Sequence, residues 1–227
     1  MIKKFLKHLG LCFLSLILLM FLVLTNLQMV VFNNGFYAKE YEKYSIVEQT
    51  GIKKNQLLSA TNKLLNYLRG HADNPQSIVT IEEKERPLFG NRELLHLSDV
   101  RELFKKGFLI KNLTFGMLGS ALILFILVKP LRNRAYKIIT LSALYALIGL
   151  FCFGSLVFLS FNTCFTYFHM MFFDNDLWLL DPSKEYLVRM FPEGFFLDSA
   201  VKVFVYTVVE LLLLIAVFKA LKYLDGV

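Results

Sequence analysis

Four long apolar runs constrain this chain more than any other feature: about Leu9–Phe32, Gly107–Val128, Ile138–Phe165 and Ala200–Leu221. Each is near or above the roughly 20 residues that an α-helix needs to cross the hydrocarbon core of a bilayer. Hydrocarbon offers no partner for backbone polar groups, so a span must satisfy them internally, as a helix does. Composition agrees, because 56% of the 227 residues are hydrophobic and 23 are Phe, more than a soluble domain of this size needs to fill a core. The sequence therefore predicts an all-α membrane protein with four transmembrane helices and a mainly helical extracytoplasmic cap.

Charge sets the expected orientation. Lys3, Lys4 and Lys7 precede the first run, Lys129, Arg132, Arg134 and Lys137 join the second to the third, and Lys219 and Lys222 close the fourth. All fall on one side if the spans alternate, and the positive-inside rule makes that side cytoplasmic. The expected division is residues 1–32 for the basic N-terminus and first span, 33–106 for an extracytoplasmic cap, 107–128 for the second span, 129–137 for a cytoplasmic loop, 138–165 for the third span, 166–199 for an extracytoplasmic aromatic loop, and 200–227 for the fourth span and a cytoplasmic C-terminus. The first run is long and lacks a small-x-small cleavage site, so it is expected to be retained.

The net charge of +7 comes mainly from these inner flanks, and no basic groove interleaved with aromatics appears, so nucleic acid is not an expected partner. Cys12, Cys152 and Cys164 all lie in apolar runs, which argues for packing residues rather than an extracytoplasmic disulfide framework.

The cap segment alternates charge with helical periodicity. Tyr37, Tyr41 and Tyr44 recur at i, i+4 and i+7, and Leu57, Leu58, Thr61, Leu64, Leu65 and Leu68 keep the same period, predicting helices near 36–48 and 55–69. "SIVTIEEKERPLF" reads as a short extended piece or hairpin arm. Asn91 offers an N-cap for "RELLHLSDVRELFKK", an amphipathic helix leading into the second span.

Two histidines stand out on topology. His8 and His71 lie in polar flanks and are expected to be solvated, whereas His96 precedes the second span and His169 follows the third, which brings both to one membrane surface. Asp99 is three residues from His96, a neighbour on a helix face that can orient the ring. An interfacial histidine can equally anchor a helix at headgroup depth. Tyr167, Phe168, Phe172, Phe173 and Trp178, with Phe191, Phe195 and Phe196 further on, read either as an interfacial aromatic belt or as an enclosure for acyl chains or a re-entrant segment. Arg189 is the nearby cation for a carbonyl or phosphate, or a salt-bridge partner for Glu185. No Gly-x-Ser-x-Gly, no His-Glu-x-x-His and no cysteine cluster is present, so neither a covalent acyl-enzyme nor a metal is expected.

"GNRELLHLSDVRELF" at Gly90–Phe104 and "FHMMFFDNDLWLLDPSKEYLVRMFPEGFF" at Phe168–Phe196, on a four-span frame, resemble the bacterial lipoprotein intramolecular transacylase family, Lit. The resemblance implies an acyltransferase that moves the sn-2 acyl chain of a diacylglyceryl-modified lipoprotein to the α-amine of its own N-terminal cysteine, giving the lyso form, without a cofactor. It implies His96 and His169 as catalytic residues at the extracytoplasmic face of a bacterial cell membrane, with lipoprotein and membrane lipid as partners; the spacing of Asp99 from His96 makes it the expected supporting residue. Two other classes fit the composition: a non-catalytic membrane assembly or binding protein, and a membrane ester hydrolase.

Overall fold

The structure is a computed structural model and describes residues 2–224. The side chains of Lys3, Lys4 and Lys7, and residues 225–227 at the expected cytoplasmic C-terminus, lie outside the described residues. Along the chain run α1 (Ile2–Val31), α2 (Asn34–Lys43), α3 (Ile46–Thr50), α4 (Lys54–Arg69), β1 (Ile78–Ile81), β2 (Lys84–Pro87), α5 (Asn91–Leu127), α6 (Lys129–Arg132), α7 (Ala135–Leu159), α8 (Phe161–Phe172), α9 (Tyr186–Met190) and α10 (Glu193–Leu224). Among the described residues four helices are long and apolar enough to cross a membrane: His8–Val31, Asn91–Leu127, Ala135–Leu159 and Glu193–Tyr223. The fold class is the expected one, an all-α multi-pass membrane protein.

The chain divides into two compact units. One comprises Met1–Gln28, Phe108–Ser160 and Val201–Val227; the other comprises Met29–Gly107 and Phe161–Ala200.

In the first unit, Ala143, Ala146 and Leu150 of α7 share a face one helical turn apart and bury against Leu211 and Ile215 of α10, with Leu18, Leu19, Leu22 and Val23 of α1 around them. Small residues allow this approach: a Cβ on Gly154 would meet Phe204 at 2.7 Å. Phe151 and Phe158 meet that same ring edge-on. The buried amide of Asn26 donates to Thr207 Oγ1 at 3.1 Å and to Glu210 Oε2 at 2.7 Å, satisfying a carboxylate inside an apolar helix. Cys12 and Cys152 are exposed on the protein's own surface, so they face outward from the helices rather than pack between them.

In the second unit the core is aromatic at one end and aliphatic at the other. Tyr37, Tyr41 and Phe36 of α2 meet Phe191 and Phe195, while Leu57, Leu64, Leu65 and Leu68 of α4 bury with Val79 and Ile81. Tyr41 is buried and satisfies its hydroxyl on Thr61 Oγ1 at 2.6 Å. The helix expected over 36–48 is two helices, because Ser45 turns left-handed (φ 48°) and reverses the chain between Lys43 and Ile46. Tyr44, at that break, donates to Asp198 Oδ2 at 2.7 Å. Its ring lies so close to Gly194 that a Cβ there would meet the hydroxyl at 2.5 Å, which accounts for the glycine in "FPEGFF". The extended segment forms an antiparallel hairpin, Ile78 opposite Pro87 and Ile81 opposite Lys84, turned by Glu82 and Glu83 at positive φ.

Helix α5 has 37 residues and is about 55 Å long at 1.5 Å per residue, longer than a bilayer core is thick. All of its charged residues except Lys111 precede Gly107, so the spanning part starts there and His96 lies outside it. Its N-cap is Gly90 rather than Asn91: the Gly90 carbonyl accepts from Leu94 at 3.0 Å, and Glu93 Oε2 reaches back to accept from the Gly90 N–H at 2.7 Å. That is the carboxylate half of a capping box.

Candidate active site

His96 sits in the second turn of α5 and His169 in the last turn of α8. Both belong to the second unit, and their ring centroids are 6.3 Å apart. Both are buried, at 7% and 9% exposure. The two expected neighbours in topology are therefore neighbours in space, whereas His71 is exposed and His8, also exposed, meets Tyr145 Oη at 3.1 Å in the first unit.

The two rings differ in how they are held. His169 Nδ1 lies 2.7 Å from the Phe165 carbonyl, four residues back in the same helix. A carbonyl only accepts, so Nδ1 carries the proton and the neutral ring presents Nε2 as a base. Phe165 also meets the ring edge-on at 4.4 Å, Trp178 stacks on it at 4.8 Å with 27° between planes, and Phe168 stands edge-on at 5.5 Å. His96 has no such fixed partner: its Nδ1 is buried without a hydrogen bond. Phe173, buried, touches both histidines, at 5.2 Å from His96 and 5.7 Å from His169.

This apolar wrapping governs protonation. Burial disfavours the imidazolium of His96, the neighbouring His169 disfavours it further and Asp99 opposes both, leaving a pKa lowered from 6.5 to about 4. His169 is also lowered, again mainly by burial and against the raising effect of the Phe165 carbonyl. At neutral pH both rings are uncharged.

One face of α5 fastens the site. Arg92, His96 and Asp99 recur at i, i+4 and i+7, and the loop after α8 lies along them. Arg92 Nη2 donates to the Asp176 carbonyl at 2.6 Å, and Asn175 Nδ2 donates to Asp99 Oδ2 at 2.9 Å. The loop so held carries Trp178 onto His169. Asp99 thus spends its hydrogen bond on Asn175 and acts on His96 through its charge alone.

A third tie comes from Glu93, one turn before His96 and 2% exposed. Its Oε1 accepts from the Leu187 N–H at 2.6 Å while Oε2 holds Gly90 at 2.7 Å, joining α9 to the start of α5. Burial raises its pKa despite these two bonds. Arg92, Glu93, Phe165 and Asn175 escaped the sequence reading. The capping-box spacing of Glu93 from Gly90 and the i−4 spacing of Phe165 from His169 are the signals that point to two of them.

The other candidates separate by position. Phe168 and Phe172 pair at 4.9 Å, and Phe196 packs on Phe165 at 5.1 Å, so these three are contiguous with the His169 surroundings. Phe195 is buried in the aromatic core against Phe36 and Tyr37. Tyr167 is 63% exposed and makes no ring contact among the described residues. Arg189 stacks over Tyr186 at 4.0 Å and donates Nε to the Glu185 carbonyl at 3.3 Å rather than pairing with the Glu185 carboxylate. A groove of about 300 Å³ lined by Asn34, Tyr37, Leu58, Ser59, Thr61 and Asn62 includes neither histidine. Among the described residues no group of three or more His, Cys, Asp or Glu is placed to hold a metal ion.

Three solved structures resemble this chain, all of the membrane integral lipoprotein intramolecular transacylase Lit from Bacillus cereus. The first has a TM-score of 0.79 at 18% identity, over 98% of this chain and 99% of that one. The other two, in which a histidine is replaced by arginine or by alanine, each have a TM-score of 0.76 at 18% identity, over 99% of this chain and 96% or 97% of theirs. No curated protein matches the chain. The family model described as lipoprotein intramolecular transacylase Lit matches residues 12–196, most of the sequence including both histidines, and the chain therefore belongs to that family of acyltransferases.

Proposed function

We propose that this transacylase moves the sn-2 acyl chain of a diacylglyceryl-modified lipoprotein to the α-amine of the same N-terminal cysteine, using His96 and His169 as its acid–base pair. The observation that carries the reading is the pair of buried imidazoles 6.3 Å apart, one with its tautomer set by a helix carbonyl.

The reaction needs little else from the protein. The amine nitrogen attacks the ester carbonyl carbon, and His169 Nε2 takes the proton it sheds. The bond from that carbon to the glyceryl oxygen then breaks, and the oxygen leaves with a proton from the histidine pair. An ester becomes an amide within one molecule, with no water and no external nucleophile in the balance. An α-amine titrates near about 7.7–8.0, so a neutral imidazole is a suitable partner for its last proton. Each buried ring disfavours a second charge beside it, so at most one of the two is an imidazolium at a time. Asp99, by its charge, steadies His96 when that ring carries the proton.

Rate comes mostly from folding a flexible substrate so that amine and carbonyl approach to about 3–3.5 Å. Phe168, Phe172, Phe173, Trp178 and Phe196 supply an apolar enclosure that holds acyl chains and keeps water from the ester. Phe195 backs that enclosure through Phe196, 5.5 Å between ring centroids. In this reading the basic flanks are cytoplasmic and the histidines face the outside of the cell; a reporter fused after Val227 is expected inside, and an outside signal would overturn the orientation.

The test is the mass spectrum of a lipoprotein's N-terminal peptide from cells with and without this chain. An N-acylated lyso form that depends on the chain supports the proposal. A diacylglyceryl form unchanged by the chain would overturn it in favour of an assembly role, and a released fatty acid with a free amine would point to a hydrolase.

A further inference from the structure

We infer that the seam between α7 and α10 ends in a binding groove for the phosphate headgroup of an anionic phospholipid, held by Lys137, Lys219 and Lys222. The seam is apolar where Ala143, Ala146 and Leu150 of α7 bury against Leu211 and Ile215 of α10. The same two faces then change character. On α10, Lys219 and Lys222 follow Ile215 at i+4 and i+7; on α7, Thr140 and Tyr136 precede Ala143 at i−3 and i−7. Tyr136, Lys137, Thr140, Leu141, Lys219 and Lys222 line a groove of about 280 Å³.

A seam of this composition lacks its counter-charge. Cations stand on both of its walls, no carboxylate lines it, and none of the three lysines forms an ion pair among the described residues. Lys222 lies over the Tyr136 ring, 5.1 Å from its centroid, so an ammonium of α10 leans onto the α7 wall next to Lys137. Like charges gathered across one packing seam push its helices apart, and a bound anion turns that repulsion into a tie. Lys129, Arg132 and Arg134 serve as a comparison, because they are basic and exposed near the same end of α7 but lie outside the groove.

Three features select a phospholipid as the source of that anion. The volume is just under the about 300–1,000 Å³ of sites that enclose drug-sized ligands, so the groove takes a headgroup and leaves the rest of a lipid outside. The hydroxyls of Tyr136 and Thr140 join three ammonium groups, a donor set matched to the several oxygens of a phosphodiester with a polyol. The groove also lies where two spanning helices end, α7 beginning at Ala135 and α10 closing at Leu224, which is where basic pockets meet anionic headgroups. Val217 and Leu221, on α10 beside Lys219, are exposed, so acyl chains below a seated headgroup have apolar helix surface to lie on. Lipid binding here is independent of the transacylase chemistry.

The experiment uses the full-length chain in a nonionic detergent, without substrate. Native mass spectrometry counts retained lipid, and thermal melting gives the half-saturating concentration. Dioleoylphosphatidylglycerol, dioleoylphosphatidylcholine, dioleoylglycerol and glycerol 3-phosphate are added separately. We expect one retained phosphatidylglycerol per chain, half-saturating about tenfold or more below phosphatidylcholine, and no response to dioleoylglycerol or glycerol 3-phosphate. Lys219→Gln should raise the half-saturating concentration about tenfold, the loss of one charge-assisted contact. Leu141→Trp, which fills the groove and leaves every charge in place, should do the same, whereas Arg132→Gln should leave binding unchanged. Binding as weak in Arg132→Gln as in Lys219→Gln, or as tight in Leu141→Trp as in the wild type, would show that diffuse surface charge attracts the lipid and overturn the inference. Equal binding of phosphatidylcholine would overturn the selection of an anionic headgroup, and saturation by glycerol 3-phosphate alone would overturn the lipid assignment in favour of a soluble anion. Should Leu141→Trp fail to accumulate, Thr140→Trp fills the same groove and decides between the same outcomes.

Discussion

The imidazole of His169 lies against the indole of Trp178, with 4.8 Å between ring centroids and 27° between planes. Trp178 is the only tryptophan in the chain, so its emission reports on one histidine. An imidazolium quenches a stacked indole and a neutral imidazole does so far less. Because burial lowers the pKa of His169, the emission is expected to hold steady from neutral pH downward and to drop only below pH 6.5. His169→Gln should remove the transition. A midpoint above 6.5 would mean that the ring is not held neutral by its surroundings.

His96→Ala and His169→Ala are each expected to abolish the lyso product while the protein still inserts, and His8→Ala and His71→Ala to leave it unchanged. Only the first two are buried beside one another. Product analysis on detergent-purified protein with a diacylglyceryl peptide checks this, and wild-type turnover in either of the first two variants would remove the two-histidine mechanism.

Asp99 offers a cleaner dissection, because its charge and its hydrogen bond act on different partners. Asp99→Asn keeps an acceptor for Asn175 and deletes the charge that raises the His96 pKa. The acid limb of kcat/KM should move to lower pH, with turnover reduced less than about tenfold. Asp99→Ala also removes one of the two ties on the loop that carries Trp178, and its turnover should fall further. An acid limb that stays put in Asp99→Asn would show that the charge does not reach His96.

Glu93→Gln is expected to be far worse than its isosteric shape suggests. Each carboxylate oxygen accepts one backbone N–H, from Gly90 and from Leu187, so an amide in place of one oxygen sets donor against donor. Losing a hydrogen bond to a buried charged group costs about 1.5–3 kcal/mol, and the unsatisfied N–H adds to that. Thermal unfolding in detergent should show the loss, with turnover falling in parallel. Unchanged melting would mean that the α9 tie carries no load.

Acid should destabilise the second unit through His96. In the unfolded chain the ring binds a proton near pH 6.5, whereas in the fold it resists until about 4. Between those values the unfolded state holds more protons, so stability is full above 6.5 and is lost as pH falls toward 4, by up to about 3 kcal/mol. Melting curves across that window should flatten in His96→Gln.

The spans were legible because run length against bilayer thickness is a property of composition alone, and the basic flanks needed only counting. The approach of His96 to His169 followed from topology. What hydropathy cannot register is backbone angle. Ser45 at φ 48° divides one expected amphipathic helix, and Ser160 ends α7 inside a run that stays apolar to Phe165, so Phe161 to Phe165 of α8 read as third span and the rest of that helix as loop. Phe195 and Phe173 look alike in sequence, yet one fills the aromatic core and the other touches both histidines, because only packing distinguishes two phenylalanines. Glu93 was hidden for a different reason: a carboxylate in the first turn of an amphipathic helix is ordinarily wet, and its burial depends on Leu187, 94 residues further along the chain.

The bond from His169 Nδ1 to the Phe165 carbonyl closes within a single turn of α8. In many acid–base sites the group that orients the imidazole belongs to another segment, and any motion between segments disturbs the proton's address. Here the ring and its orienting carbonyl travel on one rigid piece of backbone. Any displacement of α8 as a body moves both groups together, so the direction of Nε2 relative to the helix axis stays the same. The tautomer of His169 therefore depends on the backbone of α8 alone, and a proline that breaks that one turn, such as Phe168→Pro, would release it.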